Sequence, residues 1–216
     1  MITDERISAF INSLETQNSD VLETIEQEAL AASVPIIRKE TQSFLKVQLA
    51  IQKPMRILEL GTAVGFSAIL MSEYAPPGCR IVTIENYAGR ILLARENFKR
   101  AGKEAEIILR EGDALEIMKL LDEEFDLIFI DAAKAQYIHY LPEAVRLLAE
   151  EGVLISDNVL QDGDVIESRF AVERRNRTIH SRMREYLYEL KHNQNLLTSI
   201  VPLGDGLTIS KKVRRG

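Results

Sequence analysis

The sequence has few of the residues that build disulfide-linked, zinc-stabilised or membrane proteins. Its only cysteine is Cys79, so no disulfide can form within the chain, and three scattered histidines cannot complete a cysteine and histidine zinc cluster. The N-terminus carries acids where a secretory leader needs basic residues and an apolar run, and no later stretch reaches membrane-spanning length. These absences predict a soluble, cytoplasmic protein without membrane contact.

Proline is also scarce, and the composition favours a folded chain. Six prolines and 46% hydrophobic residues leave little room for disorder, and 216 residues suit one α/β domain with a full core. We expect a single domain over residues 1–216, with N-terminal helices and an entry loop in 1–52 and the sheet core in 53–216. The net charge of −6 argues against a general nucleic-acid coat. Residues 161–216, however, hold 11 Lys/Arg against 7 Asp/Glu, a basic end that suits a local polyanion site.

Apolar runs and helical periodicity alternate along the chain. Apolar spacing predicts two helices within 4–33 and a third over 41–51. Strands are predicted at 55–59, 80–85, 106–110, 125–131 and 153–157, with helices at 65–74, 88–101, 114–121 and 136–150 between them. A long helix over 166–191 and an antiparallel hairpin of 196–202 and 206–211 follow. This order predicts an α/β fold with a mostly parallel, doubly wound sheet and helices on both faces.

The first predicted strand ends in a glycine turn that suits a ligand. The turn reads Gly-Thr-Ala-Val-Gly from Gly61 to Gly65, and Glu59 precedes it. A pyrophosphate would be repelled by this acid, and the dinucleotide pattern Gly-x-Gly-x-x-Gly is absent. An acid there suits a ligand that carries an ammonium group, as S-adenosylmethionine does. The competing interpretation is a tight turn with a solvated acid.

Acidic residues end or follow every parallel strand. They are Glu59, Glu85, Asp113, Asp131 and Asp157. Ligands of such sheets bind beyond the carboxyl ends of the strands, so these acids face one rim. Glu85, roughly 20 residues past the glycine turn, is placed to bind ribose hydroxyls, and Asp113 with Ala114 to touch adenine. For each acid alone, a helix cap or a solvated loop remains the alternative.

A second cluster suggests a metal. Asp131, Asp157 and Asn158 offer hard oxygen ligands on neighbouring strands, a set suited to Mg²⁺. Lys134, three residues past Asp131, would project over this site and act as a base. Two adjacent helix caps and a surface lysine are the alternatives.

These motifs together resemble the magnesium-dependent catechol and caffeoyl-CoA type O-methyltransferases. The segments that carry the resemblance are Ile-Leu-Glu-Leu-Gly-x-x-x-Gly-x-Ser at 57–67, Thr-Ile-Glu at 83–85, Glu-Gly-Asp-Ala at 111–114, Phe-Ile-Asp-Ala-x-Lys at 129–134 and Asp-Asn-Val at 157–159. The resemblance implies a Rossmann-like class I methyltransferase sheet of seven strands with an antiparallel final strand, and a homodimer. It implies that Asp131 and Lys134 are catalytic and that Asp131, Asp157 and Asn158 bind Mg²⁺. It assigns S-adenosylmethionine to a set of cofactor-binding residues: Ile36, Glu59, Gly61, Ser67, Glu85, Asp113, Ala114 and Asp131.

The entry loop at 34–41 and the segment 157–163 are more similar to the bacterial tRNA 5-hydroxyuridine methyltransferases. That similarity implies a tRNA anticodon loop as substrate, methylated at the wobble base to 5-methoxyuridine. The phosphate contacts would come from Arg38, Lys39, Arg174 and Arg175, with support from the basic tail at 211–215. Gln161 stands where the plant enzymes carry a tryptophan, so a phenylpropanoid substrate is not expected. A small-molecule catechol O-methyltransferase is the alternative, and a non-catalytic adenosyl- or RNA-binding module is a second one.

Overall fold

A computed structural model describes residues 4–213, so Arg214 and Arg215 of the basic tail lie outside the described part. The helices are α1 (Glu5–Ser13), α2 (Asp20–Ala31), α3 (Lys39–Gln52), α4 (Phe66–Tyr74), α5 (Ala88–Arg100), α6 (Ala114–Leu120), α7 (Tyr137–Leu147) and α8 (Arg177–His192). The strands are β1 (Arg56–Leu60), β2 (Arg80–Glu85), β3 (Ile107–Glu111), β4 (Phe125–Ile130), β5 (Leu148–Ser156), β6 (Leu196–Val201) and β7 (Leu207–Lys212). No helix within 4–213 is both long and apolar enough to cross a bilayer.

The seven strands form one sheet in the order β3-β2-β1-β4-β5-β7-β6. Strands β1 to β5 pair in parallel, whereas β7 is antiparallel to both β5 and β6. This arrangement confirms the predicted Rossmann-like, mostly parallel sheet with an antiparallel final strand. The strand order reverses between β1 and β4, and such a reversal is where open parallel sheets bind their ligands.

Alternation along the central strands gives the sheet two buried faces. Ile57 and Phe129 pack with α2, α3, α4 and α5, whereas Leu58 and Ile128 pack with α6, α7 and α8. Both faces are apolar because helices cover a parallel sheet on both sides. Helix α1 packs on α3 but leaves the side chains of Phe10 and Leu14 largely exposed.

Two predicted boundaries were wrong. The helix expected over 136–150 ends at Leu147, and β5 begins at Leu148, because Leu148 pairs with Phe125 ahead of a register shift in the β4–β5 ladder. The long helix expected over 166–191 begins only at Arg177, after two 3₁₀ segments at Gln161–Ile166 and Arg174–Asn176. Asp162 and Gly163 interrupt the first of them with positive φ angles, which right-handed helix excludes.

Candidate functional site

A cavity of about 580 Å³ opens at the carboxyl ends of β1 and β4. Its volume lies within the range of about 300–1,000 Å³ typical of small-molecule sites. The turn after β1, the entry loop before α3, the start of α4 and the loops after β4 and β5 supply its lining. The sheet therefore places the predicted cofactor turn and the predicted metal ligands around the same space.

The glycine turn allows the backbone after β1 to pass very close to the backbone after β4. Gly61 has a φ of +98°, and a Cβ atom added there would lie 2.0 Å from the carbonyl oxygen of Asp131. At Gly65 the φ is +85°, and a Cβ would lie 2.5 Å from the ring of Phe98. Both positions require glycine because a side chain would be strained and would collide with its neighbours.

Glu59 is completely buried below this turn and does not line the cavity. Its alternation on β1 directs it into the layer between the sheet and α4, where it accepts hydrogen bonds of 2.5 Å from the hydroxyls of Ser67 and Thr83. The pKa of Glu59 is raised to about 7, chiefly by burial; the hydrogen bonds from the two hydroxyls oppose the rise, and the charges of Asp131 and Glu85 contribute to it. Ser67 does line the cavity, so Glu59 acts on that surface through the hydroxyl it fixes.

Glu85 lines the cavity at the end of β2. Its Oε1 accepts hydrogen bonds from the backbone N–H groups of Asn86 and Tyr87 at 3.0 Å each, and its Oε2 accepts one from Ala63 at 2.9 Å. The carboxylate is thereby held in place, and its remaining lone pairs are available to ligand hydroxyls. This geometry suits the predicted ribose contact.

The other predicted cofactor residues divide into two groups. Ile36, Gly61, Ser67, Ala114 and Asp131 line the cavity together with Glu85. Asp113 does not; its side chain accepts a hydrogen bond from the backbone N–H of Glu116 and caps α6. Capping fixes the start of α6 and hence the position of Ala114 on the cavity wall.

The predicted metal ligands lie side by side on the cavity wall. Ile130 pairs with Ser156 across β4 and β5, so Asp131 and Asp157, the next residues, leave the sheet together. The Nδ2 atom of Asn158 donates to Asp131 Oδ1 at 3.0 Å, and the Asn158 backbone N–H donates to Asp157 Oδ1 at 2.7 Å. Within residues 4–213 no three acidic, histidine or cysteine side chains converge as a metal site, so a metal held here would need the Asn158 amide as its third protein ligand.

The electrostatics of the pair favour a bound cation. The pKa of Asp157 is raised to about 7, chiefly by burial and next by the charge of Asp131. The Asn158 backbone opposes it, as does the Thr41 hydroxyl, which approaches without meeting full hydrogen-bond geometry. Burial also raises the pKa of Asp131. The hydrogen bond from the Asn158 amide and the charge of Lys134 lower that pKa but do not cancel the rise. Two buried acids that resist ionisation are relieved by a cation, so this oxygen donor set fits Mg²⁺.

Tyr137 supports both acids from below and is fully buried. Its hydroxyl lies 3.1 Å from the carbonyl oxygen of Asp157 and 3.3 Å from that of Ile130, and it accepts from the backbone N–H of Ala132 at 3.3 Å. One hydroxyl thus ties the ends of β4 and β5 together.

Lys134 begins a 3₁₀ segment, Lys134–Gln136, and lines the cavity with its side chain 35% exposed. Its Nζ atom lies 3.4 Å from Oδ2 of Asp205, a residue that the sequence did not single out. The amine therefore lines the same cavity as Asp131 and Asp157.

The four predicted RNA contacts lie in two segments of the chain, at the start of α3 and before α8. Arg38 lines the cavity and lies 3.6 Å from a carboxylate oxygen of Asp162. Lys39 is bound to Glu26 at 2.5 Å on the N-terminal side of the fold. Arg174 and Arg175 lie exposed in the 3₁₀ segment before α8, where Arg175 pairs with Glu173 at 2.7 Å. Of the four, Arg38 is the residue that lines the cavity.

A sequence model of the O-methyltransferase family matches residues 12–213. The chain belongs to the O-methyltransferase family. This methyltransferase is 32% identical over 169 residues to a catechol O-methyltransferase of Niastella koreensis, covering 76% of each chain. It is also 32% identical over 163 residues to a catechol O-methyltransferase of Mycobacterium tuberculosis, covering 74% of each. Its fold matches an O-methyltransferase from Bacillus cereus in complex with SAH, with a TM-score of 0.86 and 26% identity over 98% of this chain and 100% of that one.

Three supporting residues of the methyltransferase site were missed by sequence reasoning. Thr83 fixes Glu59, Tyr137 ties two strand ends, and Asp205 contacts Lys134. Thr83 carried a usable signal, because it is a polar residue at an inward position of a buried strand. Asp205 lies in the Gly-Asp-Gly turn, which indicated only a hairpin.

Proposed function

We propose that this O-methyltransferase transfers a methyl group from S-adenosylmethionine to one of two vicinal oxygens of a small, catechol-like substrate, with Mg²⁺ bound. The observation that carries the proposal is the lining of one cavity, in which the Gly61 turn and Glu85 stand together with Asp131, Asp157 and Lys134. The two catechol O-methyltransferases among its relatives and the bound SAH of the Bacillus cereus protein support it.

Residues at different positions of the cavity have different roles in the proposed reaction. Glu85 and the Gly61 turn would hold the ribose and the amino acid part of S-adenosylmethionine, and Asp131, Asp157 and Asn158 would hold Mg²⁺. When bound, the donor supplies an electrophilic methyl group and the metal polarises the substrate oxygens. Lys134 takes the proton of the attacking hydroxyl at its Nζ atom. The walls of the cavity orient the hydroxyl toward the methyl group, which converts a bimolecular reaction into an effectively unimolecular one.

Turnover of a dihydroxybenzoate tests the proposal directly. Purified protein, S-adenosylmethionine and MgCl₂ should yield the monomethyl ether, detected by mass spectrometry, and excess EDTA should abolish the product. The Asp157→Asn variant should lose turnover while it retains donor affinity by calorimetry, and Asp164→Asn, the same change in the nearby 161–166 segment, is the matched control. Full turnover in EDTA would remove the metal from the mechanism.

A second candidate substrate is 5-hydroxyuridine at the wobble position of tRNA. Its C4 carbonyl and C5 hydroxyl are vicinal oxygens, and an anticodon base can be splayed into a pocket. The observation that favours it is Arg38 on the cavity wall, together with Arg182, which donates to the carbonyl of Ala135 beside Lys134. Two arginines close to the cavity suit the phosphates that flank an inserted base.

Substitution separates the two substrates. Replacing Arg38, Lys39, Arg174 and Arg175 with alanine, singly and together, should raise KM for hydroxyuridine-containing tRNA and flatten its salt dependence by about one unit of slope per lost phosphate contact. Methylation of the catechol should change little. Parallel loss on both substrates would instead indicate a damaged active site, and efficient catechol turnover without any on tRNA would leave the small-molecule function.

We also propose that the protein forms the predicted homodimer. Exposed apolar side chains on α1, among them Phe10 and Leu14, offer a surface that a second copy would cover. Sedimentation of the full chain should give twice the monomer mass of 24.4 kDa. A monomer at micromolar concentration would refute the dimer. A non-catalytic binding module is the remaining alternative, and any methyl transfer to either substrate excludes it.

A further inference from the structure

Asp205 is a buried carboxylate in the turn between β6 and β7, with 3% of its side chain exposed. Glycines flank it, and both have positive φ angles. A Cβ atom at Gly206 would lie 2.3 Å from the side chain of Leu160, so the turn approaches the loop after β5 more closely than another residue would permit. The turn that looked like a simple hairpin connection is therefore packed against the metal-binding end of the cavity.

The turn binds that loop through its backbone and through the Asp205 side chain. The backbone N–H groups of Val159 and Leu160 donate to the carbonyls of Gly206 at 3.0 Å and Asp205 at 2.9 Å. The Asp205 Oδ1 atom accepts a short hydrogen bond from the backbone N–H of Asp162. These contacts fix the segment that follows Asn158, and they leave Asp205 Oδ2 directed elsewhere.

Oδ2 of Asp205 lies 3.4 Å from Nζ of Lys134. One oxygen is thus committed to the backbone and the other faces the amine, so the carboxylate cannot rotate without losing a contact. A buried charge is costly unless it is paired, and Lys134 is the cation that the structure places beside it. The arrangement matches the general pattern in which a third group orients a catalytic base.

We propose that Asp205 is the positioning residue for Lys134 in methyl transfer; the inference rests on the proposed function. In the resting site Lys134 is the cation paired with Asp205; it first releases a proton to solvent, and the neutral amine then takes the proton of the substrate hydroxyl and becomes an ammonium again. The oxygen electron pair forms the new bond to the methyl carbon, and the carbon–sulfur bond breaks with its pair on sulfur. Asp205 keeps its charge throughout and stabilises the ammonium, which then releases its proton to solvent through the exposed part of Lys134.

The alternative is that Asp205 only clamps the loop. Asp205→Asn separates the two roles, because the amide oxygen still accepts from the backbone of Asp162 while the charge facing Lys134 is lost. If Asp205 acts on the base, kcat should fall by about 10-fold or more, the scale of a lost supporting group at an active site. The KM for S-adenosylmethionine should stay near the wild-type value, since neither residue touches Glu85.

A double-mutant cycle with Lys134→Ala decides between the roles. In the Lys134→Ala background, Asp205→Asn should change kcat by less than about 2-fold, because residues that act as a unit are non-additive. Asp205→Glu, which keeps the charge, should retain more activity than Asp205→Asn. Asp164→Asn is the matched control for removing a carboxylate from the same region. Equal losses from Asp205→Asn in both backgrounds, or an Asp205→Glu enzyme as slow as Asp205→Asn, would overturn the proposal.

The same double-mutant cycle can be measured by thermal denaturation, with Tm as the readout in place of activity. Asp205→Asn should lower Tm in the wild-type background and by clearly less in the Lys134→Ala background, because only the first contains the ion pair. Additive Tm shifts would overturn the proposal even in an active enzyme. If no vicinal-dioxygen substrate or tRNA is methylated, the proposed function fails, and the Tm cycle still decides whether Asp205 holds Lys134.

Discussion

Glu59 allows a quantitative test of how the first strand is built. The side chain is fully buried between the sheet and α4, where hydroxyls of Ser67 and Thr83 satisfy both carboxyl oxygens. Burial is the main reason why its pKa rises from 4.5 to about 7. We predict that Glu59→Gln, which keeps the shape and removes the charge, stabilises the protein at alkaline pH relative to acidic pH.

The sign of the effect follows from where the proton is bound. Below the unfolded pKa of 4.5, Glu59 is neutral in both states and its burial costs no charge. Between 4.5 and about 7 the unfolded chain has lost the proton and the folded chain keeps it, so stability falls as pH rises. Above about 7 the full cost applies, about 3 kcal/mol at about 1.4 kcal/mol per pKa unit. Glutamine carries no charge and removes this dependence.

Urea denaturation at about pH 5 and about pH 8 measures the effect as the difference between Glu59→Gln and wild type. The difference in unfolding free energy should shift in favour of the variant by roughly 2 to 3 kcal/mol between the two pH values. The contributions of titrating groups that do not interact with Glu59 cancel in this difference, since those groups are present in both proteins. Glu123→Gln, the same change at an exposed position, should show no such shift. If the difference in unfolding free energy is the same at both pH values, the pKa of Glu59 is not raised by folding and the reasoning is refuted.

Further predictions concern the cavity. Gly61→Ala should prevent donor binding and lower Tm, because the new methyl group would meet the Asp131 carbonyl; donor affinity by calorimetry equal to wild type would contradict the close approach. Glu85→Ala should weaken S-adenosylmethionine binding by on the order of 2 to 3 kcal/mol with or without metal, and unchanged affinity would remove Glu85 from the site. Lys134→Ala should lower kcat by roughly 100-fold or more, and a near-normal kcat would exclude it as the base.

The fold was predictable because its signals are local and repeated. The central strands β1 and β4 are mostly apolar runs, since helices cover both faces, and glycine turns follow β1 and β3. Where the local signal was misleading, tertiary pairing decided the structure. Leu148 had helical neighbours but joins β5 because Phe125 of β4 offers it a partner. Arg174 and its neighbours fall within the helix predicted over 166–191, yet they form a 3₁₀ segment, and α8 begins only at Arg177.

The predicted site depended on one rule, that parallel strands end on the same rim. That rule brought Glu85, Asp131 and Asp157 to one cavity. It did not give the direction of each side chain. Glu59 lies one residue before the end of β1 and points into the helix layer, while Asp113 turns back to cap α6. Side-chain direction depends on strand alternation and capping geometry, which needed the exact ends of the strands.

The buried carboxylates of Asp131 and Asp157 are difficult to explain by a contribution to stability alone. Burial raises the pKa of both Asp131 and Asp157, so folding brings together two groups that oppose each other's ionisation. A protein selected only for stability would gain by replacing them, because breaking up unfavourable buried charge is often stabilising. Instead, Tyr137 directs its hydroxyl to the backbone that holds the pair, and Asn158 adopts a left-handed φ of 60° beside it. Perturbed acids and a strained backbone concentrate where a fold serves chemistry, and here both line the cavity that Lys134 also lines.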